Sequence, residues 1–229
     1  MPVIPVSLGF VQAFLVRGER TVLVDTGMPG SVERILRAAA AQGLRPRDIS
    51  LIVLTHGHND HCGSVRGLRE RTGAPLAIHR LDAPALRQGA SPLGQPIGFL
   101  PRLLAPLMRS AAMRLPALEP DVIIEEELDL APYGVTGRII PTPGHTPGSV
   151  SLFLTGDEAI VGDLVQGSYI SRRRPSMPML ISDLDQWRQS MDFVLSQQCH
   201  TWWVSHGGPL TPEDVQRRLL KAQCRVGLT

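Results

Sequence analysis

The sequence predicts a mixed α/β fold built in layers, and three observations carry that expectation. Short apolar runs rich in β-branched residues alternate, along the 229 residues, with stretches whose apolar positions recur at helical spacing. Two of the runs, Val22 to Asp25 and Ile160 to Asp163, each deliver an aspartate at a strand end, an internal echo that points to two similar halves. A hydrophobic content of 43% with 19% charged residues belongs to an ordinary globular chain, long enough to bury a core. No linker composition divides the halves, so one domain over 1–229 is expected.

Phe10 to Val16 and Thr21 to Val24 read as strands joined by a turn at Arg17 to Arg20, the second stopped by Asp25, Thr26 and Gly27. Ser31 is placed to cap a helix with apolar positions Val32, Ile35, Leu36 and Ala39, closed by Gly43. Ile49 to Thr55 is a buried strand by its length and branching. A polar loop, a helix to about Arg71 and a short strand from Pro75 to His79 follow. Between Gly89 and Pro120 six prolines break the chain, while Leu100 to Leu115 keeps an apolar helical pattern. This region, about 80–120, is expected to be a mostly helical insertion that packs over something and does not join a sheet. Leu93, Ile97, Phe99, Leu103, Leu104, Leu107 and Met108 make 89–120 a candidate substrate lid. Strands are expected at Gly137 to Pro141, Ser149 to Leu154 and Ala159 to Gly162, the last two forming a hairpin. Asp183 precedes a helix marked by Leu184, Trp187, Met191, Val194 and Leu195. Thr201 to Val204 is a strand with Trp202 and Trp203 on opposite faces, and Pro212 opens a closing helix.

Composition narrows the functional classes. A net charge of +2, with basic residues that are nearly all scattered arginines and Lys221 as the single lysine, gives no nucleic-acid footprint. The densest basic run, Arg172 to Arg174, is too short for a polyanion groove and reads first as a solvated face, with contact to an anionic substrate, soon after Asp163, as the alternative. The first residues lack a basic signal-peptide region, and no apolar run reaches membrane-spanning length. Cys62, Cys199 and Cys224 are odd in number and follow no paired spacing, so reduced thiols and a cytoplasmic location are expected.

The chemistry is concentrated after the Ile49 to Thr55 strand, where His56, His58, Asp60 and His61 are spaced His-x-His-x-Asp-His. Imidazole nitrogens and a carboxylate are the donors that zinc and similar divalent ions take. Four ligands in one loop do not close a site, so others must converge from elsewhere. His145, inside Pro-Gly-His-Thr-Pro-Gly, and His206, beside Gly207 and Gly208, lie in loops whose glycine and proline fix the backbone and clear space. Asp163 adds a carboxylate at a strand end. Asp25 reads as structural, hydrogen-bonding loop backbone beneath the site. His79 and His200 read as strand-end or surface histidines, and Cys62 as a small buried neighbour.

His56, His58, Asp60 and His61, then His145, Asp163 and His206 in that order, resemble the metallo-β-lactamase superfamily of dinuclear metallohydrolases, as do Asp25-Thr26-Gly27 and Thr142 to Gly148. The resemblance runs from about Phe10 to Gly208. It implies a four-layer αββα sandwich with a metal site at one edge between the sheets. It also implies two divalent cations, zinc first with manganese or iron as alternatives. One would take His56, His58 and His145 and the other Asp60, His61 and His206, with Asp163 bridging. The implied reaction is hydrolysis of an ester-like bond in a small-molecule substrate (a thioester, lactone, carboxylic ester or phosphoester) by a metal-bridging hydroxide, with Asp60 steering or carrying the proton.

Departures refine this. Ser205 and Ser64 stand where family members often carry glycine. Asp163 stands where the true β-lactamase branch commonly uses cysteine, which points away from antibiotic hydrolysis and toward the glyoxalase II and lactonase-like branch. The helical substrate domain of glyoxalase II is not expected after His206. Two rival readings stay open: a mononuclear-iron site of His56, His145 and Asp163, as in the persulfide dioxygenases of the superfamily, and a non-catalytic metal-stabilised ligand sensor.

Overall fold

The computed structural model describes residues 2–91, 95–96, 115, 117–168 and 171–220. The first sheet is opened by a meander of β1 (Val3–Ser7), β2 (Gln12–Arg17) and β3 (Thr21–Val24), each antiparallel to the next. It continues with β4 (Ile49–Val53), β5 (Leu76–His79) and, after the two-residue β6 (Gln95–Pro96), with β7 (Val122–Ile124). These later additions are parallel, giving the order β1-β2-β3-β4-β5-β7. The second sheet is built from β8 (Leu128–Asp129), β9 (Gly137–Pro141), β10 (Val150–Leu154) and β11 (Glu158–Gly162). Three short strands follow: β12 (Gln166–Gly167), β13 (Pro175–Ser176) and β14 (Leu180–Ile181). Then β15 (Thr201–Val204) joins the second sheet parallel to β11, in the order β15-β11-β10-β9-β8.

Among the described residues six α-helices accompany the sheets: α1 (Val32–Ala41), α2 (Asn59–Cys62), α3 (Val65–Thr72), α4 (Ala83–Gln88), α5 (Leu184–Ser196) and α6 (Pro212–Val215). The layers follow from strand alternation, which sends successive side chains to opposite faces. In β2, Phe14 and Val16 enter the core between the sheets, while Ala13 and Leu15 pack outward with Ile35, Leu36 and Leu68 from α1 and α3. On the other side Val150, Leu152, Leu154 and Ile160 meet that central core, while Phe153, Ala159 and Val161 pack outward with Trp187, Met191 and Val194 of α5. Strands covered on both faces read as continuous apolar runs, as β3, β4 and β10 do. This is an αββα sandwich. Trp202 lies fully buried in the α5 layer and Trp203 half-buried against the central core, so a helix covers one of the two faces.

Several expectations are adjusted. β1 has no counterpart in the sequence reading: Pro2 and Pro5 disguise it, and proline is tolerated because β1 is the sheet edge. Ser31 sits at the start of α1, but its hydroxyl donates to Met28 O (2.8 Å) and caps no helical N–H. Within the 80–120 region, α4 is helical, but Gln95 and Pro96 do join a strand, pairing antiparallel with Ile181 and Leu180. Leu115 packs into the outer core of the first sheet. The apolar residues named as a lid, Leu93 and Ile97 to Met108, lie outside the described residues.

Candidate metal centre

All the candidate ligands leave from one edge of the sandwich. β4 runs out into Thr55 and His56, β11 into Asp163, β15 into Ser205 and His206, and the loop from β9 to β10 carries His145. Backbone bonds stitch these ends together: Val150 N donates to Thr55 O (2.9 Å), Ser205 N to Gly162 O (3.2 Å) and Gln12 N to Ser205 O (2.8 Å). The Gln12 side-chain amide donates to Val204 O (3.1 Å) and also to Gly207 O, so the first hairpin clasps the last ligand loop.

The seven side chains expected to converge do so. His56 Nε2, His58 Nδ1 and His145 Nε2 stand 3.0–3.2 Å from one another. Asp60, His61 and His206 form a second triad, with Asp60 Oδ2 3.7 Å from His61 Nε2 and 3.4 Å from His206 Nε2. Asp163 lies between the two: Oδ2 is 3.6 Å from His145 Nε2 and 3.3 Å from His206 Nε2, and Oδ1 is 3.7 Å from His61 Nε2. His79 and His200 take no part; His79 Nε2 lies 3.2 Å from Glu125 O instead.

The donor set fits cations. Three imidazole nitrogens at mutual hydrogen-bond distance cannot all be paired by protons. Their spacing is close to the roughly 3.3 Å between ligands of a tetrahedral ion bound at about 2.0–2.1 Å. His61 Nε2 and Asp163 Oδ1 are buried without a hydrogen-bond partner among the described residues, although both face the cluster. Unmet polar atoms of this kind cost free energy unless something binds them.

The opposite ring nitrogens of four of the five histidines are held, while His58 Nε2 is buried without a hydrogen-bond partner among the described residues. Thr55 Oγ1 reaches His56 Nδ1 (3.1 Å), Leu180 O takes His145 Nδ1 (2.7 Å) and Phe10 O takes His206 Nδ1 (3.0 Å). Asp25 Oδ2 holds His61 Nδ1 (2.8 Å), and Asp25 also accepts from Thr55 N (2.8 Å) and Thr55 Oγ1 (2.8 Å). Asp25 therefore does more than tie loop backbone: it orients a ligand ring. Such partners fix the ring and raise the basicity of the facing nitrogen. Electrostatics sort the site without its cations. Burial, then the neighbouring imidazoles, push His56 well down and His145 to about 3. Burial opposes charge on His61 and His206 too, but Asp25, Asp60 and Asp163 outweigh it around His61 and raise it to about 9. Asp163 and Asp60 raise His206 well above its ordinary value. Conversely His61 and His206 overcome burial and hold the Asp60 and Asp163 carboxyls below the usual carboxylate range.

Asp82 escapes the sequence reading. Buried at the entry to α4, it accepts from Gly57 N (2.8 Å), Thr146 Oγ1 (2.8 Å) and Gly148 N (2.9 Å), joining the His56–His61 loop to the His145 loop. Leu-Asp-Ala-Pro reads as an ordinary helix start, so no local signal marks it. The two glycines flanking His145 are explained by the same packing. A Cβ on Gly148 would fall 2.6 Å from the Asp82 carboxyl, and one on Gly144 (φ +134°) 2.4 Å from the Trp187 backbone. The cleared space is taken by neighbours of the ligand loop, not by the imidazole. The two serines that depart from glycine also find uses. Ser64 Oγ accepts from Ser31 N (2.8 Å) and donates to Met28 O (2.7 Å), while Ser205 Oγ lies 3.5 Å from Asp25. Cys62 is buried, its thiol against His58 O (3.0 Å), and burial first, then Asp60 and Asp25, push it up as an acid.

Two facing sheets, helices outside and a histidine–aspartate cluster at the shared edge define the metal-centre class of αββα proteins. The chain belongs to the metallo-β-lactamase superfamily, whose family model matches residues 6–208. A probable metallo-hydrolase, YflN of Bacillus subtilis, is 32% identical over 149 residues, 63% of this chain and 55% of that protein. A hydroxyacylglutathione hydrolase of Anaeromyxobacter dehalogenans is 32% identical over 148 residues, 62% of this chain and 43% of that protein. The chain thus spans about half the length of these relatives. Among solved structures, TTHA1623 in a di-iron-bound form matches with a TM-score of 0.67 at 26% identity, over 93% of this chain and 97% of that one. A metallo-β-lactamase of Cronobacter sakazakii also gives 0.67, at 21% identity over 98% of this chain and 81% of its own, a likeness of fold.

Proposed function

We propose that this chain is a metal-dependent hydrolase that cleaves an ester-like bond, whether thioester, lactone, carboxylic ester or phosphoester, in a small-molecule substrate. The observation that carries the reading is Asp163, set between two triads of ligand-type side chains and within 3.7 Å of a histidine from each. Names among the relatives, metallo-hydrolase and hydroxyacylglutathione hydrolase, support the same reading. Two divalent cations, zinc first with manganese or iron as alternatives, would supply Lewis acidity and a water ionised near neutrality. His56, His58 and His145 would hold one, Asp60, His61 and His206 the other, and Asp163 both.

The chain's own residues do the rest. Asp60 and His206 are partly exposed beside the buried His61, and Asp60 is a carboxylate at neutral pH, so its oxygens are placed to accept a proton at the site and pass it to solvent. Phe10 is 58% exposed and stacks on His206 with ring centroids 5.8 Å apart, offering an apolar shelf for an acyl group at the mouth. The test pairs metal analysis of anaerobically purified protein with turnover of p-nitrophenyl esters, lactones, thioesters and phosphodiesters. Two ions per chain and turnover of at least one ester class are expected. One iron per chain would favour the His56, His145 and Asp163 oxygenase reading, and full metal occupancy with no turnover would favour a ligand sensor.

A further inference from the structure

A second charged feature lies outside the metal centre. The turn from Ser171 to Pro175 and the segment Asp214 to Arg218 wall a cleft of about 510 Å³ lined by Arg173, Arg174, Arg217, Arg218 and Asp214. That volume is in the range of small-molecule sites. Four guanidinium groups face one carboxylate, and Asp214 is already engaged by Arg217. Arg218 is held in place by donating Nε to Pro175 O (2.9 Å), and its terminal N–H groups have no partner among the described residues. Arg173 and Arg174 are exposed, and their guanidinium groups have no hydrogen-bond or ion-pair partner among the described residues. Concentrating cations on two adjoining walls without matching carboxylates is unfavourable by itself and is relieved by an anion. Planar N–H forks match phosphoryl oxygens in particular.

We propose that this cleft binds the phosphoryl group of a small molecule, a phosphate ester or diphosphate, separately from the metals. Its placement gives the site a consequence. The arginine turn is pinned to the last ligand loop, because Arg172 O accepts from Gly208 N (2.7 Å) and Gly167 N donates to His206 O (2.6 Å). The second wall follows the same loop in sequence, through Leu210 and Thr211. An occupant therefore braces two segments that meet beside His206.

Calorimetric titration of inorganic pyrophosphate into the metal-loaded protein at low ionic strength tests this. The same titration is made after chelation of the metals and with an R173Q/R174Q variant. Saturable binding is expected, surviving metal removal and weakened at least tenfold by the double substitution. Added salt should weaken it further, since exposed charges are screened. Both arginines are exposed, so an unchanged thermal melt is expected of the variant; R218Q gives an independent check from the other wall. No saturable binding, binding that vanishes with the metals, or binding indifferent to all three arginines would each overturn the proposal. The hydrolase reading is decided by metal content and ester turnover, and stands or falls apart from this result. A phosphorylated ester whose KM, but not that of its neutral analogue, rises in the variant would make the occupant part of the substrate. Equal KM values, with pyrophosphate binding weakened in the variant, would make it a separate ligand.

Discussion

His61 is a charged ring in the metal-free site, raised to about 9 by the aspartates around it, while His56 and His145 are held neutral. Its contribution to the stability of the metal-free fold is fully present below its unfolded value near 6.5 and lost as pH rises through about 9. A cation must displace that proton, so loading at pH 7 should release protons, and affinity should climb from pH 6 to pH 9. Zinc titration against a pH indicator in weak buffer measures both; equal release at pH 7 and pH 10 would contradict the assignment. Asp82 makes a separate expectation. In D82N an amide N–H₂ would face one of the three donors now satisfied by the carboxylate, at a cost of roughly 1–3 kcal/mol. Metal affinity should fall about tenfold or more, read by competition with a chromophoric chelator, because two ligand loops lose their common anchor. At this scale the convergence of the seven side chains was legible, since their residue types and order mark them out. Their supports were not. Leu180 and Phe10 act through backbone carbonyls, which leave no side-chain trace, and Asp82 sits in an unremarkable tetrapeptide.

α5 is the element that braces the site from outside. Asp183, which precedes the helix in the sequence, caps it by accepting from Asp185 N (2.9 Å) and Gln186 N (3.0 Å). Trp187, fully buried one turn later, donates Nε1 to Leu164 O (2.7 Å) beside Asp163, while its backbone closes over Gly144 beside His145. W187A should therefore cost about 3–5 kcal/mol in urea unfolding and reduce metal content together with stability. W187F keeps most of the volume and should lose only the hydrogen bond, about 1 kcal/mol, with metal content retained. Short β-branched and aromatic runs such as Thr21–Val24, buried throughout, and Thr201–Val204, buried at alternate positions, were readable to the residue because such runs have few alternatives. Short or proline-bearing ones were not. Val3–Ser7 pairs with its immediate successor Gln12–Arg17, but Pro2 and Pro5 hide it, while Gln95–Pro96 gains its pairing from Leu180–Ile181, distant in sequence, which no local pattern reveals.

Across the whole molecule, the two sheets meet along an apolar core but also share the histidine–aspartate edge, where Val150 N reaches from one sheet to Thr55 O of the other. Cations bound there would join the halves and stabilise the native state by about 2.7 kcal/mol at a free concentration one hundred times Kd. Thermal unfolding with and without a chelator should show that difference as a drop in Tm; coincident curves would mean that the ions contribute nothing to holding the sheets together. The layered architecture was legible because its strands and helices announce themselves by period, whereas the partition of side chains among three apolar layers emerged only from the pairing.

The Gln12 clasp on the final loop, made through Val204 and Gly207, has a bearing on how the protein matures. Six of the seven converging side chains are synthesised by Asp163, yet the cluster has no second triad until His206 has emerged and the first hairpin has gripped it. On the proposed reading, a nascent chain on the ribosome would grasp at most one ion well, and loading of a pair would wait on closure of the loop between Gln12 and Gly207.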